Sequence, residues 1–161
     1  RLGYAMKSRT ALLEMFLYIY TYKKHPMLDE INTIKNGKDI MRLNLIPVTN
    51  LGNNWHKNNI DSFGVETQYV PSEENAFYII ANKRADITIE PLFAGTHLIK
   101  HLELTEKVIP TKARFGPIIF HLLLSKKSPF ANRIDEINQA IESFSESKQY
   151  QFILDKYEKL D

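Results

Sequence analysis

The stretch from Leu43 to Glu90 limits most sharply how this chain can fold. It reads in order as an apolar strand "LNLIPV", a loop and helix "TNLGNNWHKNNIDSFG", a strand "VETQYVP", a helix "EENAFYIIANKR" and a strand "ADITIE". Strands and helices alternating at this spacing imply βαβ units, whose crossovers make neighbouring strands parallel. The local chemistry agrees. Gly64 closes the first helix as a C′ residue, and Ser72 after Pro71 is a ready N-cap for the second. Ala76, Phe77, Ile80 and Ala81 share one face of that second helix. The expected class is therefore α/β with a largely parallel sheet.

The flanks extend the pattern. "RTALLEMF" leads into "LYIYTY", a β-prone run that reads as a strand. Pro26 and the Asn36-Gly37 pair mark residues 23–39 as a connection. Beyond Glu90 the sequence predicts a helix near 95–103, a strand at "KVIP", and a strand "PIIFHLLLS" apolar enough for burial on both faces. Ile134, Ile137, Ile141 and Phe144 recur at helical spacing, and a last helix is expected to bury Tyr150, Ile153, Leu154 and Tyr157.

Composition excludes several classes. Lysine and arginine (21) nearly balance aspartate and glutamate (19), so a net charge of +2 leaves no footprint for nucleic acid or an acidic membrane surface. The absence of cysteine rules out disulfides, thiolate metal sites and a cysteine nucleophile. No run of 18 apolar residues exists, the N-terminus lacks a signal-peptide pattern, and residues upstream of Arg1 are expected to be missing.

Chemistry-bearing motifs are few. His97 and His101 stand i, i+4 on a predicted helix, the spacing of a two-histidine metal site, but "LIK" between them lacks a catalytic glutamate and no third ligand is signalled. A solvated helix face is the simpler reading, and no metal or other cofactor is expected. None of the serines sits in a G-x-S-x-G elbow. "NLGNNW" is not a P-loop, though a helix start after a strand offers free N–H groups to an anion. Trp55 is either a site aromatic or an anchor for its helix, and Lys126 and Lys127 read as a solvated turn. Glu90 stands where "ADITIE" ends, either facing a ligand in the crevice beyond the strand ends or merely solvated.

Four stretches carry a resemblance. "KSRTALLEMFLYIY", "NTIKNGKDIMRLNLIPVTNLG", "FYIIANKRADITIE" and "LLLSKKSPFANRIDEINQAIESF…FILDKY" are similar, in this order, to passages of the bacterial periplasmic solute-binding proteins of extracellular family 3. The likeness runs over nearly the whole chain. It implies two α/β lobes of the type II periplasmic-binding fold, joined by crossing strands and closing over a solute. The opening strands of lobe one would be absent, so that residues 1–22 and 115–161 belong to lobe one and 23–114 form lobe two.

Residue by residue, the resemblance places Arg9 at the arginine that clamps a ligand α-carboxylate, a task suited to a bidentate guanidinium fork. Gly52, Asn53 and Asn54 fall on the loop that meets the ligand from lobe two, and Glu90 on the acid that pairs with its α-amino group. Asp86 becomes a structural acid. The chain departs from the family in having Tyr4 for a small hydroxyl residue, "FLYIY" for its aromatic signature, and Lys83 for a glycine, with Asn82 expected to supply the left-handed turn residue. The implied function is non-enzymatic, extracytoplasmic binding of a small polar solute, an amino acid or similar zwitterion, for uptake through an ABC-type membrane permease, from a precursor with a signal peptide. A sensing domain of the same fold in a signalling or cell-wall protein is the alternative. The effector domain of a transcription regulator is a third reading, which requires an upstream helix-turn-helix.

Overall fold

The computed structural model describes residues 3–158, without the side chains of residues 157 and 158. In chain order the elements are β1 (Ala5–Lys7), β2 (Leu13–Tyr22), α1 (Leu28–Ile31), α2 (Gly37–Arg42), β3 (Val48–Asn50), α3 (Asn54–Asn59), β4 (Gln68–Val70), α4 (Glu73–Ala81), β5 (Thr88–Pro91), α5 (Leu92–His101), β6 (Val108–Phe120), β7 (Leu123–Ser125), α6 (Ile134–Ser145) and α7 (Lys148–Glu158). Short 3-10 turns at Asp61–Phe63 and Ala131–Arg133 complete the list. The α/β class is as expected. Side-chain caps start three of the helices: Asn36 accepts from the Lys38 N–H, Asn53 from His56 and Ser72 from Asn75. Each takes up an N–H that the first helical turn cannot satisfy itself.

Asn36 is thus a helix cap, and the expected connection over residues 23–39 instead holds α1 and the start of α2. The reason is burial. Ile31 and Ile40 are fully buried and Ile34 nearly so, which commits the segment to the core. Gly37 is required there, because a Cβ would collide with the Phe63 ring and the Asn59 carbonyl.

The chain divides into two compact units, with breaks at Met15/Phe16 and Gly116/Pro117. Both breaks fall inside long strands, β2 and β6. Residues 17–20 of β2 pair with β5, which places them in the 16–116 unit. In that unit the sheet is mixed rather than largely parallel. β3 and β4 pair in parallel and a parallel bridge joins Pro47 to Ile87, as the crossovers through α3 and α4 dictate. β2 runs antiparallel to β5, in the register Leu17–Pro91, Tyr18–Glu90, Ile19–Ile89 and Tyr20–Thr88, and neighbours β6 on its other side.

Asp86 ties this unit together just before β5. Its carboxylate accepts from the Ile46 N–H (2.7 Å) and from His25 Nε2 (3.1 Å), and its carbonyl accepts from the Thr21 hydroxyl (2.6 Å). His25 Nδ1 accepts from the Met27 N–H, so the proton on the ring belongs to Nε2. The turn feeding the strand uses Lys83 (φ 57°) as its left-handed residue, not Asn82 (φ −94°). Lys83 lies over the Tyr22 ring at 5.6 Å, a cation–π contact that helps hold this otherwise unfavourable backbone. β5 also runs further than "ADITIE" suggested, so Glu90 lies within the strand rather than at its stop.

A second buried polar group sits between α3 and β4. His56 is fully buried, with Nε2 3.1 Å from the Thr67 hydroxyl, which in turn donates to Asp61 (2.6 Å). Burial first, against the opposing pull of Asp61, lowers the His56 pKa to about 4, so the ring is neutral near pH 7.

The core is concentrated in the 16–116 unit, where Tyr20, Val48, Phe77, Ile80 and Val108 meet. The other unit pairs β1 with β7 and carries α6 and α7, and among its described residues Ala5 and Ile141 are its buried apolar side chains. This corrects the reading of "PIIFHLLLS" as a strand buried on both faces. Beyond Gly116 the apolar run is uncovered, with Ile119 and Leu123 more than half exposed. α6 follows its predicted face only in part, since Ile141 is buried but Phe144 is 38% exposed. On α7, Tyr150 and Leu154 are half-buried, Ile153 is exposed, and Tyr157 lies outside the described side chains.

Tyr20 and Gly95 offer a direct check of core packing. A Cβ at Gly95 would fall inside the Tyr20 ring, which is fully buried and also packs edge-on against Phe77 at 5.3 Å. Gly95→Ala is expected to destabilise the protein by about 1–3 kcal/mol through overpacking, despite the better helix propensity of alanine. Urea denaturation of the two proteins measures this.

Candidate ligand-binding site

Three parallel strands, β4, β3 and β5, bring their carboxyl ends to one edge, and a helix starts just beyond each: α4, α3 and α5. That edge is where an open α/β sheet offers a ligand unpaired backbone groups and positive helix ends. Continuing the Pro47–Ile87 register by three residues sets Asn50 level with Glu90. The Asn50 amide donates to the Glu73 carboxylate at 3.5 Å. Glu73 is also the charge that acts on Glu90.

Glu90 is half-buried, and Tyr18 stands directly opposite it on β2. Burial, with the neighbouring Glu73 adding to it, raises the Glu90 pKa to about 8. A carboxyl in this setting is largely protonated near neutral pH and resists ionising until a cation reaches it. Glu90 forms no ion pair among the described residues, so its high pKa has no cationic partner to offset it. On the same strand face the fully buried Thr88 hydroxyl has no hydrogen-bond partner among the described residues. Tyr20, deeper along that face, donates to the Leu92 carbonyl (2.8 Å), and burial pushes its phenol well up.

The residues expected from sequence separate by role. Gly52 is exposed at φ 84°, a left-handed conformation that favours glycine, with open space where a side chain would stand. Asn53 is committed at both ends of its amide, accepting from the His56 N–H and donating to Thr49 Oγ1, both at 3.0 Å. It shapes the loop. Asn54 is exposed at the first turn of α3. Gly52, Asn53, Asn54 and Glu90 all belong to the 16–116 unit, and Arg9 belongs to the other. There the Arg9 N–H donates to the buried Asn138 side chain (2.9 Å), while its side chain is 63% exposed and its guanidinium 3.6 Å from the still more exposed Asp135. A surface pair of this kind holds the side chain weakly.

Glu73, Asn50 and Tyr18 were not singled out in the sequence. Glu73 has the appearance of any acid in a first helical turn, and Tyr18 of any strand tyrosine; only the β2–β5 register sets Tyr18 opposite Glu90. Trp55 packs edge-to-face on Phe115 at 5.5 Å, an anchor for α3. His97 and His101 are exposed and stacked in parallel on α5, and among the described residues no group of three histidine, aspartate or glutamate side chains is placed to hold a metal. Among the same residues no helix is long and apolar enough to cross a membrane.

No family model matches the chain, and no curated protein sequence matches it. Solved structures do. The GluR0 ligand-binding core in complex with L-glutamate superposes with a TM-score of 0.71 at 9% identity, over 96% of this chain and 64% of its own. An ancestral arginine-binding protein bound to arginine gives 0.66 at 16% identity, over 95% and 64%. The L-cystine solute receptor of Neisseria gonorrhoeae, unliganded and open, gives 0.65 at 14% identity, over 96% and 60%. The fold is that of the two-lobed periplasmic binding proteins. The chain spans about three-fifths of the length of these structures.

The raised Glu90 pKa has a consequence for stability. The folded chain keeps this proton up to about pH 8, whereas the unfolded chain loses it near the ordinary carboxylate value. Between those two limits folding takes up a proton, so this contribution is fully present at low pH and is lost as pH rises through about 8. Tyr18, Tyr20 and Glu73 face the same carboxyl, and none supplies a positive charge. Glu90→Gln is therefore expected to melt higher than wild type at about pH 9 and at the same temperature at about pH 4. Melting curves across this range test it.

Proposed function

We propose that this chain is a non-enzymatic binding module for a small amino acid or related zwitterion. The observation that carries the reading is Glu90: a half-buried carboxyl without an ion pair among the described residues, at the strand-end edge of a fold whose solved neighbours include proteins bound to arginine and to L-glutamate. An arriving ammonium supplies the charge that Glu90 lacks, so the acid ionises and the pair forms in a poorly hydrated place. The α3 loop, with Gly52 left-handed and Asn54 exposed, offers N–H and amide groups to the same ligand.

Arg9 is assigned the ligand carboxylate. Its exposed, weakly held guanidinium can turn to a better acceptor at little cost, and a planar fork meets a carboxylate with two bonds. In this reading the module is extracytoplasmic and delivers its solute to a membrane permease of the ABC type, presenting a surface that changes because the closed state binds ligand more tightly.

The first experiment is a thermal-shift screen of the protein against amino acids, polyamines and small carboxylates, since a ligand far above its dissociation constant raises stability by a few kcal/mol. Calorimetry with the strongest hit then tests the residues. Glu90→Gln is expected to weaken binding by roughly 2–5 kcal/mol even though it stabilises the free protein, and Arg9→Lys by nearly as much. Glu66→Gln, at an exposed position before β4, serves as the control and leaves affinity unchanged. Equal affinities for wild type and Glu90→Gln remove Glu90 from the site.

A further inference from the structure

β2 carries aromatic residues at alternate positions, Phe16, Tyr18, Tyr20 and Tyr22, so their rings line one face of the strand. All but one have partners. The Arg114 guanidinium lies over the Phe16 ring at 4.1 Å, and the Lys83 ammonium over the Tyr22 ring at 5.6 Å. Tyr20 is fully buried, packs edge-on against Phe77 and gives its hydroxyl to the Leu92 carbonyl. Tyr18 is half-buried and packs against the core, but among the described residues it has no cation over its ring, no ring contact and no hydrogen bond.

Glu90 stands directly opposite Tyr18 on β5. Residues paired in this way across antiparallel strands point to the same face, with their Cβ atoms about 5 Å apart. The next pair inward, Tyr20 and Thr88, is fully buried and closes the face, whereas Tyr18 and Glu90 are both half-buried and leave it open. Among the described residues Glu90 forms no ion pair. An aromatic ring face and a carboxylate each attract positive charge. The chain seats its own cations on the rings at either end of this stripe, and leaves without one the ring that faces an acid.

We propose that Tyr18 is a ligand-contacting residue: the ammonium that pairs with Glu90 lies against the face of the Tyr18 ring, held between a carboxylate and an aromatic ring. This rests on the binding role of Glu90 proposed above. The two contacts are complementary, because the carboxylate accepts from the N–H groups of the ammonium while the ring draws on its charge from the side that the carboxylate leaves bare. The partial burial of both residues strengthens the ring contact, since a cation–π attraction grows as water is removed from it.

The test changes the electrons of the ring without changing its shape. Affinity is read by calorimetry on the intact chain, and the probe is the standard L-amino acid that most raises the melting temperature of wild type. Tyr18→Phe keeps the ring and is expected to bind within about threefold of wild type, whereas Tyr18→Leu loses about tenfold. Phenylalanines bearing one, two and three fluorines at position 18 are expected to weaken binding step by step, to at least about fivefold below Tyr18→Phe, because fluorine withdraws electron density from the ring face. A ring that only fills space is indifferent to this series. If the fluorinated chains bind as tightly as Tyr18→Phe while Glu90→Gln still weakens binding, the ring contact is overturned and the role of Glu90 stands. If Glu90→Gln also leaves affinity unchanged, or if no standard amino acid binds wild type, both fall.

Discussion

Asp86, through its carboxylate and its main-chain carbonyl, is the constraint on which the rest of the 16–116 unit depends. It joins the end of β2 through Thr21, the connection after it through His25, and the approach to β3 through the Ile46 N–H. These groups lie far apart in sequence, so one acid sets the start of β5 against β2 and β3 at once. Removing this half-buried acceptor is costly, because the donors left behind, the fully buried Thr21 and the buried His25 among them, would themselves lose their partner. The register that follows carries Tyr18 opposite Glu90 and sets Asn50 level with it. The chemistry of the candidate site is thus fixed by hydrogen bonds at the opposite end of the same short strand.

Much of this was legible from the chain. Ser72, Gly64 and the Ala76–Phe77–Ile80 face mark α4 and the close of the preceding helical segment, and all three behave as local chemistry dictates. Where the sequence misled, a tertiary contact outweighed a local signal. Asn36-Gly37 has the composition of a turn, but Gly37 is pressed against Phe63 and Asn36 caps a helix. Lys83 adopts the left-handed conformation that Asn82 would take more readily, with its ammonium over Tyr22. "PIIFHLLLS" is apolar enough for an interior strand, yet lies in the unit where few apolar side chains are covered. Hydrophobicity says that a segment gains by burial, not that a partner is present to bury it.

The site divides in the same way. Glu90 could be picked out because the sequence set it beside the crevice at which open α/β sheets bind ligands, and resemblance gave it a role. Glu73 could not, since its meaning lies in which neighbour it faces. Asn53 shows the converse: the resemblance placed it at the ligand, and the structure uses both ends of its amide to hold the loop and start α3. A loop residue that shapes the backbone and one that touches a ligand have the same sequence signature.

The central claim is that Glu90 is held protonated by burial beside Glu73 and surrenders its proton to pair with a ligand cation. Carbon NMR of the side-chain carboxyls reports this directly, with the Glu90 signal assigned by its loss in Glu90→Gln. The account predicts a titration midpoint of about 8 in the free protein, falling well below neutrality when a saturating zwitterionic ligand from the thermal-shift screen is present. A midpoint in the ordinary carboxylate range without ligand, unmoved by adding it, would contradict the account.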